Sequence, residues 1–141
     1  MGLYERMLQL SHQGFACAQV MMQLVLDAED KQDPDLIRSV GALNNGVRDN
    51  ALLCGAFLGG ACVISYYTGQ GEPDEMADPA CDELTQELYR WFVEEVAAPR
   101  GGTTCPQMLH NDNANKLIVC PDAVERTFNK AIELLEERDL V

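Results

Sequence analysis

A run of 14 residues with no polar side chain, Ala51–Ile64, is the feature that most limits how this chain can fold. The run is shorter than the roughly 18 apolar residues that are needed to span a membrane as a helix. A helix that is apolar on every side must be buried by its neighbours. We therefore predict a helix over about Asn50–Thr68 at the centre of a helical bundle. Gly55 and Gly59 would leave a flat strip on it, where another backbone or a bulky cofactor can approach closely.

Apolar residues recur at helical spacing through most of the rest of the chain. Asp33-Pro34 and Asp78-Pro79 each place a capping side chain before a proline of the first helical turn, and Pro121–Arg138 reads as a final amphipathic helix. A second helix carries one apolar face, which is formed by Cys17, Val20, Met21, Leu24 and Val25. No alternating pattern typical of strands is present. The sequence predicts a single all-α domain over residues 1–141, an irregular helical bundle of about five to seven helices around a buried central helix.

The charge balance excludes two classes of partner. The chain carries 10 Lys and Arg against 23 Asp and Glu, a net charge of −13. Nucleic-acid binding needs a basic surface, and anionic membranes attract basic segments, so we expect neither partner. Met1–His12 lacks the features of a signal peptide, which predicts a cytoplasmic protein with reduced thiols. We expect a redox partner protein of unknown identity and a homodimer that the apolar central helix favours.

The six cysteines have no C-x-x-C spacing, so zinc-ribbon, thioredoxin-type and covalent-haem motifs are absent. Cys105 and Cys120 each precede a proline, which predicts a position at a helix start where free N–H groups favour a thiolate. Cys81 has a similar setting. Cys17 and Cys54 are expected on apolar helix faces, where free cysteine packs as a small hydrophobe. Two buried cysteines on neighbouring helices and two at helix starts together predict a four-thiolate site.

Four short motifs resemble a known family. The stretch Gly14–Gln19 resembles the opening motif of the redox-active protein family that is named for its cysteine pattern C_GCAxxG_C_C, and Cys54–Gly60 is similar to its CGAxxG motif. Cys105 and Cys120 match the last two positions, so the resemblance runs from about Gly14 to Glu137. The family is helical and is similar to the non-haem domain of split-Soret cytochromes. This chain departs from the family at Gly41–Gly46, where other members often have a Gly-rich run.

The resemblance implies that Cys17, Cys54, Cys105 and Cys120 bind an iron–sulfur cluster that serves in electron transfer or redox sensing and that can be lost during purification in air. Cys62 and Cys81 lie outside the pattern. Cys62 is eight residues beyond Cys54, about 12 Å along one helix, so both cannot bind one small cluster. Two alternatives stay open from the residues alone. One is a metal-free dithiol redox protein that uses Cys105 or Cys120, and the other is a binding module with a structural zinc.

Overall fold

The computed structural model describes all residues from 1 to 141 and contains seven right-handed α-helices and no sheet, as the sequence predicts. Their apolar faces meet in one cluster of 29 buried residues. No helix combines the length and the apolar character needed to cross a membrane. The helices are α1 (Leu3–His12), α2 (Cys17–Ala28), α3 (Pro34–Val40), α4 (Gly55–Thr68), α5 (Ala80–Trp91), α6 (Cys105–Met108) and α7 (Lys116–Glu136).

Helix α4 is the central element, and it packs against α2, α5 and α7. Glycines make this close packing possible. A Cβ atom on Gly59 would lie 2.6 Å from Cγ of Met21, and one on Gly60 would lie 2.8 Å from Cγ2 of Thr127. Of the two glycines in the predicted flat strip, Gly59 therefore allows tight packing of α4 against α2. The first glycine of the strip, Gly55, lies against the side chain of Cys17.

The predicted start of the central helix at Asn50 was wrong, because α4 begins at Gly55. Residues 45–49 instead form a left-handed helical turn, with φ between 52° and 67°. A left-handed conformation costs an ordinary L-residue about 1–2 kcal/mol, so the turn must be held by its surroundings. Leu53 and Thr104 form an isolated antiparallel bridge directly after it, and this pairing replaces the predicted first turn of helix.

The last helix, in contrast, begins earlier than predicted. Helix α7 starts at Lys116, so Leu117–Cys120 is helical and Pro121 is the sixth residue of the helix. The Asp112 side chain accepts a hydrogen bond from the Ala114 N–H at 3.0 Å and starts a short 3₁₀ turn that leads into α7. Proline near the start of a helix removes one backbone hydrogen bond there, and the long amphipathic helix accommodates that loss.

Candidate functional site

Four of the six cysteines line one small recess. Its volume is about 10 Å³, which is space for about one water molecule, so the thiols nearly fill it. Cys62 and Cys81 do not take part in this recess. The wall of the recess is mostly apolar and is formed by Cys17, Asn45, Cys54, Gly55, Ala56, Cys105, Met108, Leu109, Val119, Cys120 and Ala123. The structure thus brings together the four predicted site residues from four separate parts of the chain.

Three of the four cysteines lie at helix N-termini. Cys17 and Cys105 are the first residues of α2 and α6, and Cys54 directly precedes α4. The prediction that Cys17 lies on an apolar helix face is confirmed, because the same face of α2 carries the buried residues Val20 and Met21, whereas the prediction was wrong for Cys54, which lies just outside α4. Cys120 is the fifth residue of α7, so its predicted position at a helix start was wrong as well. Free N–H groups at a helix N-terminus favour a negatively charged sulfur, which makes these positions suited to thiolate ligands.

Cys17 is held between two side-chain amides. The Ala18 N–H donates to Oδ1 of Asn44 at 3.0 Å, and the Ala16 N–H donates to Oε1 of Gln19 at 3.3 Å. Asn44 in turn donates from Nδ2 to the same Gln19 oxygen at 3.0 Å. The two amides fix the backbone on both sides of Cys17. Sequence reasoning assigned neither residue a role, because Asn44 lies in an Asn-Asn-Gly run that reads as the end of a helix.

Cys54 and Cys105 are joined through the backbone. The Cys54 N–H donates to the Thr103 carbonyl oxygen at 2.9 Å, and the Cys105 N–H donates to the Leu52 carbonyl oxygen at 2.9 Å. Gly46 closes the left-handed turn against this pair, because a Cβ atom there would come within 2.9 Å of Cβ of Cys105. The strained turn therefore lies directly against the site, as strained backbone at functional sites often does.

Burial dominates the acid–base behaviour of three of these thiols. It raises the pKa of Cys54 to about 12, although the nearby backbone N–H groups of Ala56 and Phe57 oppose that rise. Burial likewise raises the pKa of Cys120 to about 11 and raises the pKa of Cys105. Each of these pKa values is raised further by the negative charge of a neighbouring cysteine of the recess. Without a ligand these three sulfurs are protonated thiols at neutral pH, so metal binding must displace their protons.

Two cations lie beside the recess in a protein of strongly negative net charge. Lys116 acts on both Cys105 and Cys120, and Arg100 acts on Cys120; both favour the thiolate form. Arg100 is held in place by Asp122, with Nη2 and Oδ2 3.2 Å apart. Asp49 opposes them at Cys105. The positive charges offset part of the repulsion that four thiolates would exert on one another.

The remaining two cysteines lie outside the recess. Cys62 lies half-buried within α4, where burial raises its pKa, and Cys81 lies half-buried in the first turn of α5. No group of three or more His, Cys, Asp or Glu side chains is arranged to hold a metal ion. The four sulfurs therefore border a shared recess but do not meet around one point.

Comparison with known proteins points to one family. No curated protein and no solved structure matches the chain. A family model matches residues 15–134, a range that includes all four cysteines of the recess. Since this match covers most of the chain, the protein belongs to the family described as "Putative redox-active protein (C_GCAxxG_C_C)".

Proposed function

We propose that this protein binds an iron–sulfur cluster through Cys17, Cys54, Cys105 and Cys120 and uses it in electron transfer or redox sensing. The observation that carries the proposal is that only the four cysteines of the family pattern come together. Four cysteines from separate elements border one recess, whereas the two cysteines outside the family pattern stay away from it. Thiolates are the ligands of iron–sulfur clusters, and an apolar surrounding with hydrogen bonds to sulfur is how proteins tune them.

The residues around the recess fit such a group in chemistry. The backbone N–H groups of Ala56 and Phe57 favour the thiolate form of Cys54, and Lys116 and Arg100 supply positive charge. The available space fits less well, because the volume of the closed recess is only about 10 Å³. An open recess of about 230 Å³ adjoins it and shares Cys105 as a wall. A cluster would need part of this space as well, and when bound it would supply reversible one-electron transfer.

Two rival functions receive less support. A structural zinc needs about four ligands at a single point, and no three ligand side chains stand in that arrangement here. A dithiol redox protein needs an attacking cysteine with a lowered pKa, but burial raises the pKa of Cys54, Cys105 and Cys120. These observations weigh against the two rivals, and the proposal itself rests on the four cysteines that border one recess.

Serine substitution at each cysteine in turn tests this proposal. We expect loss of bound iron and of the visible absorption when any one of Cys17, Cys54, Cys105 or Cys120 is replaced. Cys62→Ser and Cys81→Ser are matched controls in the same helical core and should keep the wild-type iron content. Equal loss at all six positions would show that the cysteines serve general packing, and that result would contradict the proposal.

A further inference from the structure

The open recess beside Cys105 is the place where the cysteine site reaches solvent. It has a volume of about 230 Å³ and shares Cys105 and Asn45 with the closed four-cysteine recess. One wall comes from the left-handed turn and Ala51, and the other comes from residues 111–116. Anything that binds in this recess therefore lies directly against a site cysteine.

Exposed aliphatic side chains directly follow two wall residues of this recess in the chain, one on each side of it. Leu52 follows the wall residue Ala51 and is 52% exposed. Leu117 and Ile118 follow the wall residue Lys116 and are 86% and 72% exposed. Apart from the two terminal residues and Met76 in the loop before α5, no other large apolar side chain is as exposed. Since aliphatic area left in water is unfavourable, its concentration beside the site indicates a surface that a partner covers.

The charge of the protein limits which partner can dock here. The net charge is −13, and Asp49 and Asp112 line the recess together with the single cation Lys116. A field of this sign attracts a basic protein over long range and speeds its association. At this recess the same field disfavours a second copy of the chain.

We propose that the recess rim, defined as Ala51, Leu52, Lys116, Leu117 and Ile118, is the docking surface for a basic redox protein. The inference rests on the proposed cluster function. The contact area of three exposed aliphatic side chains is far smaller than the roughly 800 Å² that each partner buries in a stable complex. Transient electron-transfer complexes bury less surface, so we expect a complex of this kind. A partner seated on the rim would lie next to Cys105. One electron would then leave the reduced protein and reduce the partner's oxidised centre, with no bond made or broken.

A kinetic comparison with a basic haem protein tests the inference. Ferricytochrome c serves as the probe: the anaerobically prepared, reduced protein is mixed with it, and the second-order rate of haem reduction is followed by stopped flow. We expect the rate to fall as ionic strength rises, because salt screens the attraction. The double variant L117S/I118S should react at least about fivefold more slowly than wild type.

Met76→Ser is the matched control, because Met76 is 89% exposed but lies far along the chain from the site cysteines. It should react at the wild-type rate. All three proteins should have the same visible spectrum and midpoint potential, which separates docking from damage to the site. An L117S/I118S rate equal to that of M76S, or a wild-type rate that does not depend on salt, would overturn the docking inference alone. A colourless wild-type protein would overturn the proposed function, and the docking inference with it.

Discussion

The Cys17 sulfur occupies space that is free because Gly55 has no side chain. A Cβ atom on Gly55 would overlap Sγ of Cys17 and would lie 2.9 Å from the Leu43 carbonyl oxygen. The glycine that follows Cys54 in the CGAxxG motif is therefore required by a different cysteine, 38 residues earlier in the chain. The motif encodes a through-space contact as well as a local helix start.

Gly55→Ala should displace Cys17 and abolish cofactor binding. It should also lower the free energy of unfolding by about 1–3 kcal/mol, the usual effect of forcing extra atoms into a packed site. Iron content and urea denaturation measure the two effects. Gly71→Ala is the control, because its nearest contact is Glu75 Oε1 at 3.7 Å. A G55A protein that loads iron like wild type would show that the sulfur of Cys17 can move freely.

The left-handed turn predicts a substitution that stabilises the protein. Arg48 is exposed and has a φ of 52°, a conformation that glycine adopts without strain. We expect Arg48→Gly to raise the free energy of unfolding by about 1 kcal/mol. Arg90→Gly, at an exposed site in the right-handed helix α5, should lower it by about 1 kcal/mol. Denaturant midpoints measure both changes. Destabilisation by both variants would contradict a left-handed backbone at position 48.

Two buried threonines should respond in opposite ways to the same substitution. The Thr127 hydroxyl is fully buried and has no hydrogen-bond partner, whereas the Thr68 hydroxyl donates to the Ile64 carbonyl oxygen at 2.7 Å. Thr127→Val should therefore raise the free energy of unfolding by about 1 kcal/mol, and Thr68→Val should lower it by about 1 kcal/mol. Thermal melts of the two variants give the comparison, and an equal loss in both would show that the Thr127 hydroxyl does have a partner.

Ionisation of the Tyr67 phenol makes the free energy of unfolding depend on pH in the alkaline range. Burial and then the hydrogen bond from its hydroxyl to Oε1 of Glu29, at 2.7 Å, hold the pKa of Tyr67 well above its ordinary value. The folded protein thus keeps this proton more tightly than the unfolded chain does. The stabilisation is fully present below about pH 10, the ordinary tyrosine pKa, and is lost as the pH rises above it.

Absorbance titration of the tyrosines measures this effect. One of the four tyrosines should ionise later than the others, and Tyr67→Phe should remove that late step. Glu29→Gln should lower the pKa of Tyr67, because a neutral amide no longer opposes the phenolate charge. Simultaneous ionisation of all four tyrosines in the folded protein would contradict the contact.

Sequence reasoning reached the helical class and the four cysteines, because apolar periodicity and short motifs are local signals. It missed the left-handed turn, since five successive residues of that conformation follow from contacts with Cys105 and Leu52 and not from their own preferences. It also missed Asn44 and Arg100, which are far along the chain from the cysteines that they influence, and it assigned no role to Gln19 and Lys116, which share a helix with Cys17 and Cys120. These residues become visible once α2, α4 and α7 are packed together.

The homodimer stays a prediction. Helix α4 keeps a half-exposed stripe of Leu58, Ala61 and Cys62, and this stripe would be its contact. Sedimentation of the wild-type protein should give a dimer at micromolar concentration, and Leu58→Glu should give a monomer with an unchanged helical spectrum. A wild-type monomer at that concentration would contradict the prediction.

The composition of protein purified without oxygen decides whether the four-cysteine recess holds an iron–sulfur cluster. Iron, acid-labile sulfide, zinc and the visible spectrum should be measured on one such preparation. We expect a brown protein that contains iron and sulfide in equal amounts and loses both in Cys120→Ser. A colourless protein that contains zinc, or that contains no metal and keeps its thiols free, would contradict it.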